Sequence, residues 1–183
     1  DAEATLRKAL AIGADEAIRV NANPTDGMFV AKQLAAVVKN GGYDLVIAGK
    51  ESLDYNGGMV PGMLAGLIGC NFVNACVGID VNVNDAKVTR EIDGGKEIIS
   101  ASLPLIVGGQ KGIVEEKDLR IPNMRGIMMA RTKALTIVEP TADAVATKAI
   151  RFEKPAAKSA VKLINPDNLD ELINLLHNEA KVI

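Results

Sequence analysis

A chain of 183 residues with 48% hydrophobic and 24% charged residues has the apolar material for one sizeable domain and room for an appended arm. Its formal net charge of -2 excludes the basic footprint of a nucleic-acid binder, and no apolar run is long enough to span a bilayer, so neither nucleic-acid binding nor membrane insertion is expected. Three Phe, two Tyr and no Trp leave little for base stacking, and two cysteines, Cys70 and Cys76, without companion histidines predict neither a metal site nor a secreted disulfide scaffold. A reducing, cytoplasm-like compartment follows.

The chain opens in a helical pattern, with apolar residues at 6, 9, 10 and 12 and a stop at Gly13. The first strand of an α/β unit is thus expected to be missing. Residues 16–20 read as a short strand, 23–26 (Asn-Pro-Thr-Asp) as a turn and cap, and 29–39 as a helix with apolar positions 30, 34, 37 and 38. Residues 44–48, Asp-Leu-Val-Ile-Ala, form a β-branched burst between glycines, the pattern of a buried parallel strand.

Next comes the stretch on which the functional reading turns, GKESLDYNGGMV, residues 49–60, leading into a helix with Met59, Met63, Leu64, Leu67 and Ile68 at helical spacing. Strand, glycine-bearing turn and helix start together direct backbone N–H groups and the positive end of a helix dipole toward one point, which suits a phosphate. Gly57 and Gly58 let a ligand approach the backbone; Ser52, Asp54 and Asn56 offer hydrogen bonds. Glycines in such turns also serve packing alone, and both readings stand. The loop is neither a Walker A sequence nor GxGxxG. Strand, helix, strand, helix predicts a parallel sheet with right-handed crossovers and a ligand at the carboxyl ends of its strands.

Residues 72–77 and 78–84 read as two strands; a turn at Asp85-Ala86 and another at Asp93-Gly94-Gly95 divide the following residues into strands 87–92 and 96–101. Pro104 precedes an apolar strand, 105–107, that returns to the sheet. His177 has no evident nucleophile partner and is a surface or interface residue rather than part of a hydrolytic triad.

VTREIDGGKEIISASLPLIV, residues 88–107, resembles the signature stretch of the electron transfer flavoprotein β subunit, with Arg90, Asp93, Gly94, Gly95, Glu97 and Pro104 on its positions and Val107 bulkier than usual. RIPNMRGIMMARTKAL, residues 120–135, resembles that family's docking loop and following helix, and GKESLD its adenine-nucleotide loop. The resemblance extends to about Pro140. It implies an adenine nucleotide α-hydrolase-like (Rossmann-like) α/β domain over 1–140, with an added β-hairpin, and an arm over 141–183 ending in a helix for a partner subunit. It implies AMP, or a second FAD, held by Gly49, Lys50, Glu51, Ser52, Asp54, Asn56, Gly57, Gly58, Met59 and Val60. Redox FAD would sit mainly in an α-subunit partner, and acyl-CoA dehydrogenase-type donors would dock at Ile121, Pro122, Met124 and Arg125. Met124 falls where the family has a leucine anchor, against the alternative of a core methionine. Glu91 is a candidate carboxylate facing a moving flavin domain, or simply an exposed hairpin charge. No covalent chemistry of its own is expected, in the cytoplasm or, in a eukaryote, the mitochondrial matrix.

After Pro140 a polar, Ala- and Lys-rich stretch with Pro155 reads as an extended arm. Asn165-Pro166 reads as a helix start, with Leu169, Leu172, Ile173 and Leu176 as one apolar stripe. Two rivals remain at this level: a free-standing nucleotide sensor of universal stress protein type, whose glycine pattern Gly108-Gly109-Gln110 does not supply, and a nucleotide-dependent ligase or transferase.

Overall fold

The computed structural model describes residues 2–53, 56–141, 145–158 and 160–183. The chain divides into two compact units, one up to Lys148 and one from Ala149 to Ile183. The first contains α1 (Ala2–Ala11), β1 (Ala17–Val20), α2 (Gly27–Gly41), β2 (Leu45–Gly49), α3 (Val60–Ile68), β3 (Asn71–Val81), β4 (Asp85–Ile92), β5 (Gly95–Ser102) and β6 (Leu105–Gly109). A 3-10 turn at Glu116–Asp118, α4 (Met124–Ala130) and β7 (Leu135–Val138) follow. This is a Rossmann-like mixed α/β fold.

The larger sheet has the order β2-β6-β3-β4-β5, in which β2, β6 and β3 run parallel while β4 and β5 form an antiparallel meander. Strand β6 lies between β2 and β3, as suits residues that are apolar on both faces. Leu105 and Val107 join Val73, Cys76, Ala86 and Val88 on one side, and Ile106 meets Ala35 of α2 and Leu64 and Ala65 of α3 on the other. That alternation is the period-two geometry of a strand. A smaller core packs Leu10 of α1, Ala17 of β1 and Ala130 of α4 together.

Three elements differ from the sequence expectation. The two strands expected over 72–84 are one, β3, whose register slips between Val73 and Cys76 and again between Cys76 and Gly78, with Ala75 at φ 57. Bulges increase strand twist, and here the first half of β3 pairs with β6 and the second half with β4. The turn expected at Asp85-Ala86 lies earlier. Asn82 N–H donates to the Asp85 carbonyl at 2.8 Å and the Asn82 amide to the Asp85 carboxylate at 2.8 Å, which frees Ala86 to pair with Val81 and become fully buried. Strand β1 pairs in parallel with β7, forming a two-stranded sheet of its own, instead of joining β2.

The hairpin signature follows from the ladder. Arg90 faces Glu97 across β4 and β5, at 3.6 Å, and the strands close through Ile92 and Gly95 around an Asp93-Gly94 turn in which Gly94 takes φ 83.

Asp26 ties the end of the first unit to α2. Its Oδ1 accepts the Phe29 N–H at 2.7 Å as the helix N-cap, while Oδ2 accepts the Ala146 and Thr147 N–H groups at 2.8 and 2.9 Å. Gln33, the buried polar residue of α2, exchanges hydrogen bonds with Thr141, through its amide to Oγ1 at 2.9 Å and from the Thr141 N–H at 2.7 Å. The bond from Phe29, then that from Thr147, holds the Asp26 carboxyl below its ordinary range. A lowered folded-state value means that the stabilisation is complete above the unfolded value of about 4 and disappears as pH falls through the folded one. Asp26→Asn is therefore expected to lower the melting temperature at neutral pH, with the deficit shrinking in acid melts. A deficit independent of pH would show that the carboxylate charge has no part in the tether.

In the second unit the helix starts later than expected. Asn165 makes a turn, its side chain accepting the Asp167 N–H at 3.1 Å, and Asn168 caps α5 (Leu169–Asn174), which continues into a π-helical turn at Leu175–Glu179. Pro166 occupies that turn, not the first helical position. Leu169 and Ile173 of the apolar stripe are exposed, as are Ile150, Phe152, Val161 and Leu163 before it.

Candidate functional site

The carboxyl ends of β2 and β6 carry small residues, Ala48-Gly49 paired with Gly108-Gly109. The ladder runs one residue further: the Lys50 N–H donates to the Gly109 carbonyl at 2.9 Å. Lys50, Glu51, Ser52, Asn56, Gly57, Gly58, Met59 and Val60 then form a single loop entering α3, of which Asp54 lies outside the described residues. Ser52 and Gly57 exchange backbone hydrogen bonds of 3.0 and 3.2 Å, and Asn56 adopts the left-handed conformation at φ 50 that this closure needs.

That closure changes what the loop offers. The Gly57 N–H is engaged inside the loop and does not belong to the set of amides open to an anion. Pro61, at the start of α3, has no N–H to give. Space around the backbone is nevertheless present: a β-carbon at Gly57 would meet nothing within 4 Å, and one at Gly58 only the Lys50 carbonyl at 3.6 Å. Met59 has a packing task as well, since a β-carbon on Gly27 at the start of α2 would sit 2.8 Å from its sulfur.

Two further polar groups stand at this end of the sheet. Among the described residues the Asn74 Oδ1 atom is buried without a hydrogen-bond partner, and it lies so close to Gly108 that a β-carbon there would overlap it. An orphaned buried acceptor beside glycines fits a ligand carrying N–H or O–H donors, as an adenosine does. Gln110, placed by its N–H bond to the Cys76 carbonyl at 2.8 Å, accepts from the Lys50 ammonium at 3.0 Å and donates to the Glu91 carboxylate. Neither residue was legible as part of the site beforehand: Asn74 lies in the irregular stretch of β3 between Val73 and Cys76, and Gln110 is placed by long-range pairing with Cys76. Lys50, the loop glycines and Asn74 thus stand at the same end of the sheet, a cation, open backbone and an acceptor side by side. Burial pushes both the Cys70 and Cys76 thiols up, so neither is a ready thiolate. Among the described residues there is no cluster suited to a metal ion, and no helix is long and apolar enough to cross a membrane.

The second candidate region is the loop before α4. Asn123 caps that helix, accepting the Gly126 N–H at 2.7 Å. Ile121, Pro122, Met124 and Arg125 are all exposed, Met124 to 74%, which removes the alternative of a core methionine. The loop stands on a fixed base. Arg7 of α1 donates to the Ala130 and Lys133 carbonyls at 2.8 and 2.9 Å, while Lys133 donates to the Leu10 and Ala14 carbonyls at 3.1 and 2.6 Å. Each cation satisfies carbonyls left over where the other helix ends. A cleft of about 570 Å³, lined by Ala4, Ala11, Pro122, Ile127 and Ala130 with Arg7, Lys8 and Arg131, lies between α1 and α4.

Fold and loop define a Rossmann-like α/β protein with a glycine-bearing loop at the carboxyl ends of its parallel strands. Residues 1–143 match the electron transfer flavoprotein domain. The chain belongs to the electron transfer flavoprotein family. It is 32% identical to the electron transfer flavoprotein subunit beta of Bacillus subtilis, with all of this chain and 76% of that protein covered. The subunit beta of Bradyrhizobium diazoefficiens is also 32% identical, over all of this chain and 73% of the relative, and the mitochondrial subunit beta of Oryza sativa subsp. indica is 32% identical over 98% and 72%.

Proposed function

We propose that the chain is the β subunit of a heterodimeric electron transfer flavoprotein that carries electrons from acyl-CoA dehydrogenase-type flavoenzymes to an acceptor. The observation that carries this is the match to β subunits along nearly the whole chain, at 32% identity in three distant organisms. Redox FAD would be held mainly by the α-subunit partner. When bound, the flavin supplies the electron chemistry. The residues of this chain would bind, orient and dock, without catalysing a covalent step. The chain would work in the cytoplasm or, in a eukaryote, the mitochondrial matrix; one relative is named as mitochondrial.

The loop of Gly49, Lys50, Glu51, Ser52, Asp54, Asn56, Gly58, Met59 and Val60 would hold AMP or a second FAD, with Gly57 contributing space and not an N–H group. Lys50 supplies the positive charge and the orphaned Asn74 oxygen an acceptor. Residues 1–140 would form the nucleotide-binding domain. The arm over 141–183 would lie on the partner subunit, a role supported by its exposed Ile150, Phe152, Val161, Leu163, Leu169 and Ile173. Ile121, Pro122, Met124 and Arg125 would dock the donor.

Gly58→Glu tests the nucleotide site. Its β-carbon fits at 3.6 Å from the nearest atom, so the fold tolerates the change while the carboxylate repels a phosphate. Nucleotide released on denaturing the purified complex is expected to fall about tenfold, the equivalent of ~1.4 kcal/mol. Full retention would move the site elsewhere.

A further inference from the structure

We propose that Gln110 is a positioning residue that keeps the loop lysine available to an anion by separating it from the hairpin carboxylate. The inference rests on the reading of the loop 49–60 as a nucleotide site, and it assigns a role to a residue outside that loop. Lys50 leaves the end of β2, Gln110 follows β6, and Glu91 lies near the end of β4; the last two are neighbours because Cys76 of β3 pairs with Gly109 on one side and with Arg90 on the other, and β2 pairs with β6 through Gly49 and Gly109. The Lys50 ammonium donates to the Gln110 carbonyl oxygen at 3.0 Å, and the amide nitrogen of the same side chain donates to a Glu91 carboxylate oxygen. A single carboxamide thus stands between two opposite full charges. Its own place is fixed by the backbone bond from Gln110 to the Cys76 carbonyl at 2.8 Å and by the turn that Ile113 N–H makes back to the Gln110 carbonyl at 3.3 Å.

An amide is suited to this task because it offers an acceptor to the cation and a donor to the anion without carrying charge. The bond to Gln110 uses one of the three N–H donors of the Lys50 ammonium. Glu91 stays turned toward the amide. Without Gln110 the flexible lysine chain can swing a few ångströms and pair with Glu91 directly. That pair would neutralise the cation and bring a second negative charge toward the phosphate site.

The test is AMP binding to the complete protein with its partner subunit, stripped of nucleotide, measured by calorimetry. Gln110→Met, close in size and without the amide, is expected to weaken AMP about fivefold, the scale on which exposed ion pairs compete. Adding Glu91→Gln to that variant removes the competing carboxylate and is expected to restore binding to within about twofold of Glu91→Gln alone, the error of additive behaviour. A merely structural glutamine would show no such rescue. Unchanged binding in Gln110→Met, or an unrescued loss in the double variant, overturns the proposal. Gln110→Leu repeats the test should the first variant fold poorly. Lys50→Met separates the two levels: if it weakens AMP while Gln110→Met does not, only the inference fails. If Lys50→Met binds AMP as the native protein does, the nucleotide reading fails with it.

Discussion

Met124→Ala is expected to slow electron delivery from an acyl-CoA dehydrogenase-type donor by about 10- to 100-fold while leaving the heterodimer and the flavin spectrum intact. The size follows from the burial of one large apolar side chain in a partner pocket, about 1.5–3 kcal/mol, and from the concentration of binding energy in a few central anchors. The selectivity follows from position. Met124 is 74% exposed at the first residue of α4, so its truncation removes no internal contact of the core that Leu10, Ala17 and Ala130 form beneath it. Stopped-flow reduction by a purified donor, with complex integrity checked by gel filtration, measures both effects. An unaltered rate would take the donor surface away from this loop.

Gly126→Ala has the opposite character: it should damage the fold and leave the exposed side chains of the loop before α4 chemically unchanged. A β-carbon at Gly126 would lie 2.4 Å from the Ala11 carbonyl oxygen, a backbone atom that no rotamer change can move. Alanine gains up to about 1 kcal/mol over glycine in a helix interior. The overlap opposes that gain, because α1 and α4 must separate, straining the bonds that Arg7 and Lys133 make between them. Overpacking of this kind costs about 1–3 kcal/mol, and at about 2–4 °C per kcal/mol in a chain of this size the melting temperature should fall visibly. A melting temperature equal to or above that of the native chain would mean that the crossing adjusts freely.

The sequence carried most of the fold where local pattern and tertiary use agree. Strand β6 could be read from Leu105-Ile-Val107 because both of its faces are buried. The turn Asp93-Gly94 could be read because Gly94 needs a positive φ. Legibility failed where side chains compete with the backbone. Asn82 and Asn165 each capture nearby groups and shift a strand start or helix start by two or three residues, although the residue types nearby suggested Asp85-Ala86 and Asn165-Pro166. Pairing was hidden too. Nothing in residues 17–20 says that β7, more than a hundred residues away, is their neighbour.

The candidate site divided along the same line. Its loop was visible in one contiguous run of glycines and polar residues. Asn74, Glu91 and Gln110 come from three other segments, and the pairing of Cys76 with both Gly109 and Arg90 is what sets Gln110 beside Glu91. The closure between Ser52 and Gly57 was equally invisible, since glycine permits an open amide and an engaged one alike.

The most direct measurement is to isolate the full-length native protein with whatever accompanies it, record its visible spectrum, and identify the nucleotides released on denaturation. A flavin spectrum, a second subunit, and one FAD with one AMP per dimer are the expected result for a β subunit of an electron transfer flavoprotein. Two FAD per dimer would retain the carrier function and place flavin in the loop 49–60 as well. A colourless protein without a partner, carrying ATP, would contradict the carrier function and return the universal stress type of sensor to the fore.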